Sequence, residues 1–288
     1  MCHTQEIFCP ATVQSHHPGT IMLDHALKYP FLLHGLLALS TFHLGHCQPD
    51  NQEIYQNHSR RLLSQGLEGF NSVVTRLNED NIIPAFVFST VAGFCKFAHV
   101  FSTLHRSVNE FLDQLIESIT MLRGVNIVLG GWWQVITASS LFRALYPDTG
   151  HPKLEVSSDR RSEELSDLRL FLQESNLDVA STHACNEAVD QLQSIYNMQI
   201  NTKDETKSET PDFVFFIRLP GAFHTLVLQR NPEALIIVAY LAPLLHRRRR
   251  SWLVGNAGEV LINAIYDYLG PNWHRWLHAP MAAIKSDT

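Results

Sequence analysis

The residues of this sequence that are best suited to chemistry are histidines, and one group of them lies in an uncharged segment. Residues 29 to 46 read YPFLLHGLLALSTFHLGH and contain His34, His43 and His46 without any charged side chain. On a helix that turns by about 100° per residue, His34 and His43 point to opposite sides and cannot share an ion. His43, His46 and Cys47 occupy neighbouring positions, but no carboxylate or cysteine follows at a spacing that completes a tetrahedral site. The pattern favours core histidines, and we predict no metal site.

Recognisable catalytic motifs are also missing. The sequence contains no G-x-S-x-G, H-E-x-x-H, G-x-x-x-x-G-K or G-x-G-x-x-G segment. Because catalytic groups can assemble from distant residues, the missing motifs leave an enzyme open as an alternative. We predict a protein that is not an enzyme and has no cofactor. The alternative is an enzyme or accessory protein of lipid or secondary metabolism on the same helical scaffold.

A short basic run, HRRRR, is the one segment with a concentrated positive charge. It contains Arg247, Arg248, Arg249 and Arg250, whereas residues 155 to 212 hold thirteen acidic and five basic side chains. The net charge of the chain is −6. Specific DNA binding needs a broad basic surface, so we expect no direct specific DNA binding from this chain. The run itself has two interpretations: a nuclear-import or partner patch, or cations at a helix C-terminus.

The cysteines indicate a reducing compartment. Five cysteines are separated by intervals of 7, 38, 48 and 90 residues, which form neither a disulfide framework nor a zinc cluster. No basic region followed by an apolar run marks the N-terminus as a signal peptide. We therefore expect an intracellular protein, located in the nucleus, the cytoplasm or both.

The elements that carry these residues have helical periodicity. Residues 52 to 77 place apolar side chains at the spacing of one helix face, and strand signals are scarce. Residues 29 to 46 and 125 to 142 approach the length of a membrane span, but their polar residues favour buried helices of a soluble bundle. We predict helix breaks near Arg123-Gly124 and at Gly130-Gly131. The predicted fold is all-α: a single large helical bundle with acidic internal loops and no substantial sheet.

The predicted domain limits are the positions where the helical spacing of apolar residues begins and ends. Residues 1 to 17 are expected to be poorly ordered, residues 18 to 280 to form the helical domain, and residues 281 to 288 to form a tail. Two polar stretches rich in turn formers, near 146 to 164 and 201 to 213, are predicted to be flexible loops inside the domain.

The last third of the chain carries the clearest helix signals. Asn231 suits an N-cap, Pro232 suits the first helical position, and Pro243 predicts a kink in the core helix that follows. A second helix is predicted to start at Trp252 and to end at Gly270, and the aromatic segment PNWHRWLHAP to form a short turn or helix.

This second helix also carries the candidate ligand contacts. Its apolar residues recur every three or four positions from Trp252 and include Gly255, Gly258 and Ile262, followed by Ile265 and Leu269. Glycine inside a helix costs about 1 kcal/mol relative to alanine, so a close approach should compensate for it. The approaching group is either a ligand or the backbone of another helix. For a ligand, the predicted neighbouring walls are the aromatic residues Phe223, Tyr240, Trp273 and Trp276.

Several segments, taken together, resemble one known family. They are YPFLLHGLLALSTFHLGH, YQNHSRRLLSQGLEGFN, ITMLRGVNIVL and the stretch from NPEALIIVAYLAPLLHRRRR to DYLGPNWHRWLHAP. In order and distance they are similar to the C-terminal regulatory, ligand-sensing domain of fungal sterol uptake control proteins, which are transcription factors of the binuclear zinc cluster family. The resemblance covers roughly residues 18 to 280, and its tryptophan-bearing end is the most specific part.

The resemblance implies a fungal transcription regulator whose helical domain binds a sterol or a terpenoid-like apolar molecule. It also implies a zinc cluster for DNA, and this sequence contains no such cluster. We therefore expect that the DNA-binding part has been lost, lies on an upstream exon or is supplied by a protein partner. A homodimer is a further expected partnership. A bundle rich in Phe, Leu and Trp can enclose an apolar ligand, although a bundle without a cavity has the same composition.

Overall fold

The fold is helical wherever it is described. The computed structural model describes residues 18–102, 107–145, 165–201 and 211–286, and these ranges contain no strand. The all-α prediction is confirmed. The α-helices in these ranges are α1 (Pro18–Lys28), α2 (Pro30–Cys47), α3 (Gln52–Val74), α4 (Ile82–Ser102), α5 (Val108–Leu129), α6 (Trp133–Ala138), α7 (Ser140–Leu145), α8 (Ser166–Glu174), α9 (Val179–Asn201), α10 (Pro211–Arg218), α11 (Gly221–Leu228), α12 (Pro232–Ala239), α13 (Ala242–Arg247), α14 (Ala257–Leu269) and α15 (His274–Ser286).

The chain divides into two compact units. The first comprises Met1–His99, Met121–Lys153 and Thr206–Thr210, and the second comprises Val100–Thr120, Leu154–Glu205 and Pro211–Thr288. Helices α1 to α3 and most of α4 therefore belong to the first unit, and α8 to α15 belong to the second. This division was not predicted from the sequence.

The core of the first unit forms around Phe88 on α4. Its ring packs on Phe31 at 5.5 Å and on Phe70 at 5.0 Å between ring centroids. Gly66 on α3 permits this packing, because a Cβ atom there would lie 2.6 Å from Cε2 of Phe88. Helices α2 and α3 run antiparallel as a hairpin, with Gly45 at the closed end against Tyr55. The uncharged segment at 29 to 46 is thus mainly helix α2 of a packed core.

One helix in the described ranges is long and apolar enough to span a membrane, and it is α4. Of its most apolar 18-residue window, 83% is buried inside the protein, which is typical of a core helix. The two segments whose length approaches that of a membrane span differ in structure. Residues 30–47 form α2, and residues 125–142 are shared among α5, a 3₁₀ turn, α6 and α7.

One of the two predicted helix breaks is wrong. Helix α5 continues through Arg123-Gly124 to Leu129, whereas the break at Gly130-Gly131 is confirmed by a 3₁₀ turn at Gly130–Trp132. The helix continues because Leu122 and Val125 on either side of Gly124 are buried. Packing of this kind outweighs the helix penalty of a single glycine, which is about 1 kcal/mol.

In the second unit, the start of α12 was predicted correctly. The Asn231 side chain accepts a hydrogen bond from the Ala234 backbone N–H over 3.1 Å, and Pro232 is the first residue of the helix. The predicted kink is a full interruption: α12 ends at Ala239, two turn residues follow, and α13 begins at Ala242. Pro243 explains the interruption, because it has no N–H for the Ala239 carbonyl four residues earlier.

The next predicted helix begins later than expected. Residues 251–256 form turns and α14 starts at Ala257, so the prediction of a helix from Trp252 is wrong. Gly255 explains the delay, because its φ of +50° lies in the left-handed region that ends helical geometry. The C-terminal end was predicted correctly, since Gly270 follows Leu269 with a φ of +74°.

A residue other than glycine, Arg230, also has a left-handed backbone, with a φ of +53° in the turn between α11 and α12. Its guanidinium forms an ion pair with Asp113 and donates to the Asn109 side chain over 2.8 Å. The same group lies over the Tyr268 ring at 5.6 Å. These contacts hold the strained turn against α5 and α14 within the second unit.

Several predicted boundaries fall outside the described residues. These are the N-terminal segment 1 to 17, the loop at 146 to 164 and residues 202–210 of the loop at 201 to 213. Residues 211–213 form the beginning of α10. At the C-terminus, α15 continues to Ser286, so residues 281–286 of the predicted tail are helical.

Candidate functional site

All the predicted ligand contacts belong to the second unit, but they do not share one helix face. Phe223 is buried on α11, and Tyr240 is buried at the corner between α12 and α13. Trp252 and Gly255 lie in the turn before α14, whereas Gly258 and Ile262 lie on α14 itself. Trp273 precedes α15 and Trp276 lies on it. The structure joins two of these residues directly by a hydrogen bond, Tyr240 and Trp276.

This hydrogen bond supplies the Trp276 carbonyl with a donor that helix α15 itself lacks. The Tyr240 hydroxyl donates to the Trp276 carbonyl oxygen over 3.2 Å. In a regular helix this carbonyl would accept from the N–H of residue 280, but Pro280 stands there and has no N–H. Burial, with the nearby charge of Asp167, raises the pKa of Tyr240 above its usual range. The hydroxyl therefore keeps its proton and remains a donor.

A second tyrosine donates a hydrogen bond to the α12–α13 corner. The Tyr196 hydroxyl on α9 donates to the Tyr240 carbonyl oxygen over 2.7 Å, and both side chains are almost fully buried. The corner exists because Pro243 interrupts the helix. Tyr196 and Tyr240 thus link α9, the corner and α15 through two hydrogen bonds.

The aromatic contacts continue from α15 to α8. Phe171 packs against Trp273 at 6.1 Å and against Trp276 at 5.0 Å between ring centroids. Arg275 covers the outer side, since its guanidinium lies 4.2 Å from the centroid of the Trp276 ring and 2.9 Å from Glu174. We call Phe171, Tyr196, Tyr240, Trp273 and Trp276 the aromatic cluster.

Phe171 and Tyr196 were missed as site residues. Nothing in local spacing connects Tyr196 to Tyr240, which is 44 positions away. Nor does local spacing connect Phe171 to Trp273 and Trp276, which are more than 100 positions away. A partial signal exists in the sequence only for the Tyr240–Trp276 bond, because Pro280 leaves the Trp276 carbonyl four residues earlier in need of a donor. That signal indicates that a donor is required without identifying it.

Gly258 is packed against a helix backbone. A Cβ atom at this position would lie 2.5 Å from the Ala242 carbonyl oxygen and 2.8 Å from the His246 backbone nitrogen. The contacts at Gly258 are therefore those of the second alternative in the sequence analysis, close packing of α14 on α13. Ile262 lies one turn further along the same helix and is buried.

His246 is the polar residue within this packed region. Its side chain is 2% exposed, and its Nδ1 atom lies 3.5 Å from Oε1 of the half-exposed Glu259. Within the described part of the chain, neither ring nitrogen has a hydrogen-bond partner. Its neighbours along α13 are the buried residues Ala242, Pro243, Leu244 and Leu245. A buried polar group of this kind requires an explanation, because such groups are nearly always paired.

The basic run begins directly after His246. Arg247, Arg249 and Arg250 are exposed and Arg248 is partly exposed. Arg249 donates to the His246 carbonyl oxygen over 3.1 Å, and Arg247 lies 5.7 Å from the centroid of the Tyr196 ring. The run therefore follows the C-terminus of α13, where positive side chains complement the helix dipole.

Two observations on the described residues concern metal binding and catalysis. Within the described ranges, no group of three or more His, Cys, Asp or Glu side chains is close enough to hold a metal ion. A serine–histidine pair occurs in the first unit, where Ser59 Oγ lies 3.2 Å from His99 Nε2. Ser59 is fully buried, and its hydroxyl donates to the Ala38 carbonyl over 2.8 Å. The pair is thus arranged to stabilise the core rather than to attack a substrate.

Comparison with known protein families gives one match. Residues 3–214 match the model of the fungal specific transcription factor domain, which is more than half of the 288-residue chain. The matched range includes α1 to α9 and ends before α11, so Tyr240, His246 and Trp276 lie beyond it. Neither the curated proteins nor the solved structures contain a match to the chain.

Proposed function

The chain belongs to the family of the fungal specific transcription factor domain, and we propose that it senses an apolar ligand on behalf of a fungal transcription regulator. Family membership makes it a transcription regulator of the fungal type and is consistent with nuclear or intracellular action. The proposed subtype is the sterol uptake control type, in which a helical regulatory domain responds to a sterol or a terpenoid-like molecule.

The observation that carries the sensing proposal is the aromatic cluster together with the interrupted helices around it. Helices α11, α12 and α13 are only six to eight residues long, and the α12–α13 corner is tied to its neighbours by tyrosine hydroxyls. Short helices joined through side chains can shift relative to one another at a lower cost than one continuous helix. A ligand that binds one arrangement better than another changes the population of that arrangement.

The chemistry of the cluster favours a rigid, largely apolar ligand. Its rings and the buried aliphatic residues of α12 to α14 provide apolar contacts with few polar groups. A fused-ring molecule loses little conformational entropy when it is bound by such a surface. A sterol meets this requirement, and a cyclic terpenoid meets it as well.

The proposal is tested by sterol binding to the purified 288-residue chain. The probe is dehydroergosterol, a fluorescent sterol that accepts excitation energy from nearby tryptophans, and unlabelled sterols and farnesol serve as competitors. We expect saturable binding of one probe per chain that unlabelled sterol reverses. If neither the probe nor any competitor binds, the sensing proposal is wrong and the chain acts through protein contacts alone.

We further propose that contact with DNA is made by a protein partner or by another part of the regulator. The basic run Arg247 to Arg250 is proposed as a nuclear-import or partner patch, since three of its four residues are exposed. The test is the location of a fluorescent fusion in fungal cells when Arg248, Arg249 and Arg250 are changed to Gln. Loss of nuclear accumulation with an unchanged melting temperature is expected. Unchanged nuclear accumulation would assign the run to the C-terminus of α13 alone.

A further inference from the structure

His246 is a buried imidazole without a hydrogen-bond partner. Its side chain is 2% exposed, and in the described residues no donor or acceptor is bonded to either ring nitrogen. Leaving a buried polar group unpaired destabilises the folded protein. A phenylalanine or leucine would fill such a position without this cost. The imidazole therefore fits a site that is completed by a group from outside the chain.

Glu259 determines which ring nitrogen is open to that group. Its Oε1 atom lies 3.5 Å from Nδ1 of His246, whereas no carboxylate of the described residues is paired with Nε2. A carboxylate oxygen accepts hydrogen bonds, so of the two tautomers of the ring it favours the one that carries the proton on Nδ1. The Nε2 atom is then a lone-pair acceptor, and its missing partner is a hydrogen-bond donor.

We propose that His246 is the polar anchor of the ligand site and that its Nε2 atom accepts a hydrogen bond from a hydroxyl group of an apolar ligand. This inference rests on the proposed sensing function and adds the chemical class of the ligand, an alcohol. A ketone has no proton to donate to Nε2. An anionic ligand is disfavoured by the negative charge of Glu259 beside the ring.

Gly258 is a positioning residue for this anchor. Its missing side chain allows α14 to approach the His246 backbone nitrogen, at 2.8 Å from the position of a Cβ atom. Glu259 follows Gly258 in the sequence, so the same close approach brings its carboxylate to the imidazole. Gly258 thus acts on the ligand through His246.

The inference is tested with two sterols that differ only in the relevant group. Cholestanol carries a hydroxyl where cholestanone carries a ketone, and both are used to displace dehydroergosterol from the intact chain. We expect the wild-type chain to prefer cholestanol by about tenfold, the effect of one hydrogen bond that leaves a buried acceptor unpaired when it is lost. His246→Phe removes the acceptor and should bind both sterols with equal affinity.

A second variant, Glu259→Gln, keeps the imidazole, so the test does not depend on whether His246→Phe folds. Glu259 is half exposed, so Glu259→Gln should not disturb the core. Its amide can donate to Nδ1 and thereby shift the ring proton to Nε2, which then donates instead of accepting. The preference for cholestanol over cholestanone should decrease in this variant and turn toward the ketone.

The possible outcomes separate the inference from the function on which it rests. If the wild-type chain binds neither sterol nor dehydroergosterol nor farnesol, the sensing proposal fails, and the anchor fails with it. If sterols bind but the wild type does not distinguish alcohol from ketone, only the anchor is wrong. The same conclusion follows if His246→Phe keeps the preference, and a buried water molecule is then the partner of the ring.

Discussion

The Tyr240 hydroxyl and the Trp276 carbonyl oxygen lie 3.2 Å apart, and Pro280 makes this hydrogen bond necessary. The proline lies inside α15 and cannot supply the N–H that the carbonyl would otherwise accept. Because Tyr240 is 1% exposed, water is not a ready substitute for its hydroxyl. A side chain from the α12–α13 corner thus completes the hydrogen bonding of a different helix.

Removal of this hydroxyl should destabilise the protein measurably. Tyr240→Phe keeps the ring but leaves the Trp276 carbonyl without a donor, so the free energy of unfolding should fall by about 1–3 kcal/mol. Chemical denaturation followed by circular dichroism measures the change. Tyr55→Phe is the matched control, since the Tyr55 hydroxyl donates to Gln48 at an exposed position. Its effect should remain within about 0.5 kcal/mol.

A double-mutant cycle shows whether the proline is the cause. Pro280→Ala restores an N–H four residues after Trp276, so the carbonyl regains a helical donor. Tyr240→Phe should then cost less in the Pro280→Ala background than in the wild type. An equal cost in both backgrounds would mean that the hydroxyl does not compensate for the proline.

Two glycines allow a matched test of helix packing. Gly258→Ala places a methyl group 2.5 Å from the Ala242 carbonyl oxygen, so α13 and α14 must separate, at a cost of about 1–3 kcal/mol. Gly124→Ala adds the same methyl group inside helix α5, where no atom lies within 4 Å apart from the adjacent residues and the backbone of the helix itself. This second change should stabilise the protein by about 0.4–1 kcal/mol, because alanine is the better helix former.

Thermal unfolding of both variants measures the difference, and the expected effects have opposite signs. If Gly258→Ala is neutral or stabilising, the close approach of α14 to α13 is not required. In that case Gly258 loses its role in positioning the groups around His246.

Helix ends were predictable where one residue determines them locally. Asn231 with Pro232 marked the start of α12, and Gly270 marked the end of α14, because capping and a positive φ depend on the residue itself. We predicted a helix break near Gly124 and a continuous helix through Gly255, and both predictions are wrong. Gly124 is inside a helix because its neighbours are buried, whereas Gly255 has a left-handed backbone that delays α14. A glycine permits either conformation, so the local sequence does not determine which one is adopted.

The candidate site was only partly predictable for the same reason. Tyr240, Trp273 and Trp276 were selected for their aromatic character, and all three belong to the aromatic cluster. Their partner Tyr196 is 44 residues from Tyr240, and the contact depends on how α9 packs beside the corner. His246 was read only as the start of a basic run. Its unpaired ring became evident from burial, which has no signature in the spacing of residues.

Stability of the first unit should depend on pH through His99. Burial, with the positive charges of Arg60 and Lys96, lowers the pKa of His99 from 6.5 to about 4. Between these values the unfolded chain binds a proton that the folded chain excludes, so stability decreases as the pH falls from 6.5 toward 4. The slope should approach about 1.4 kcal/mol per pH unit, and the effect is absent above pH 6.5.

Denaturation at several pH values between 4.5 and 7.5 checks this expectation. His99→Gln cannot take up the proton, so its free energy of unfolding should vary less across this range than that of the wild type. The control is His58→Gln on α3, whose exposed side chain should leave the wild-type slope intact. Equal slopes for the wild type and His99→Gln would show that His99 is hydrated in the folded protein.

The last prediction concerns the binding of DNA by this chain. The net charge of the chain is −6, and its concentrated positive charge is the run Arg247 to Arg250. Four arginines can neutralise few phosphates, and their contacts carry no base specificity.

Fluorescence anisotropy with duplex DNA fragments at physiological salt should therefore show weak binding that is equal for all sequences. Added salt should abolish it, and Gln at the four arginine positions should abolish it at lower salt. Tight binding to one sequence in preference to scrambled DNA by this chain alone would contradict the prediction and remove the need for a DNA-binding partner.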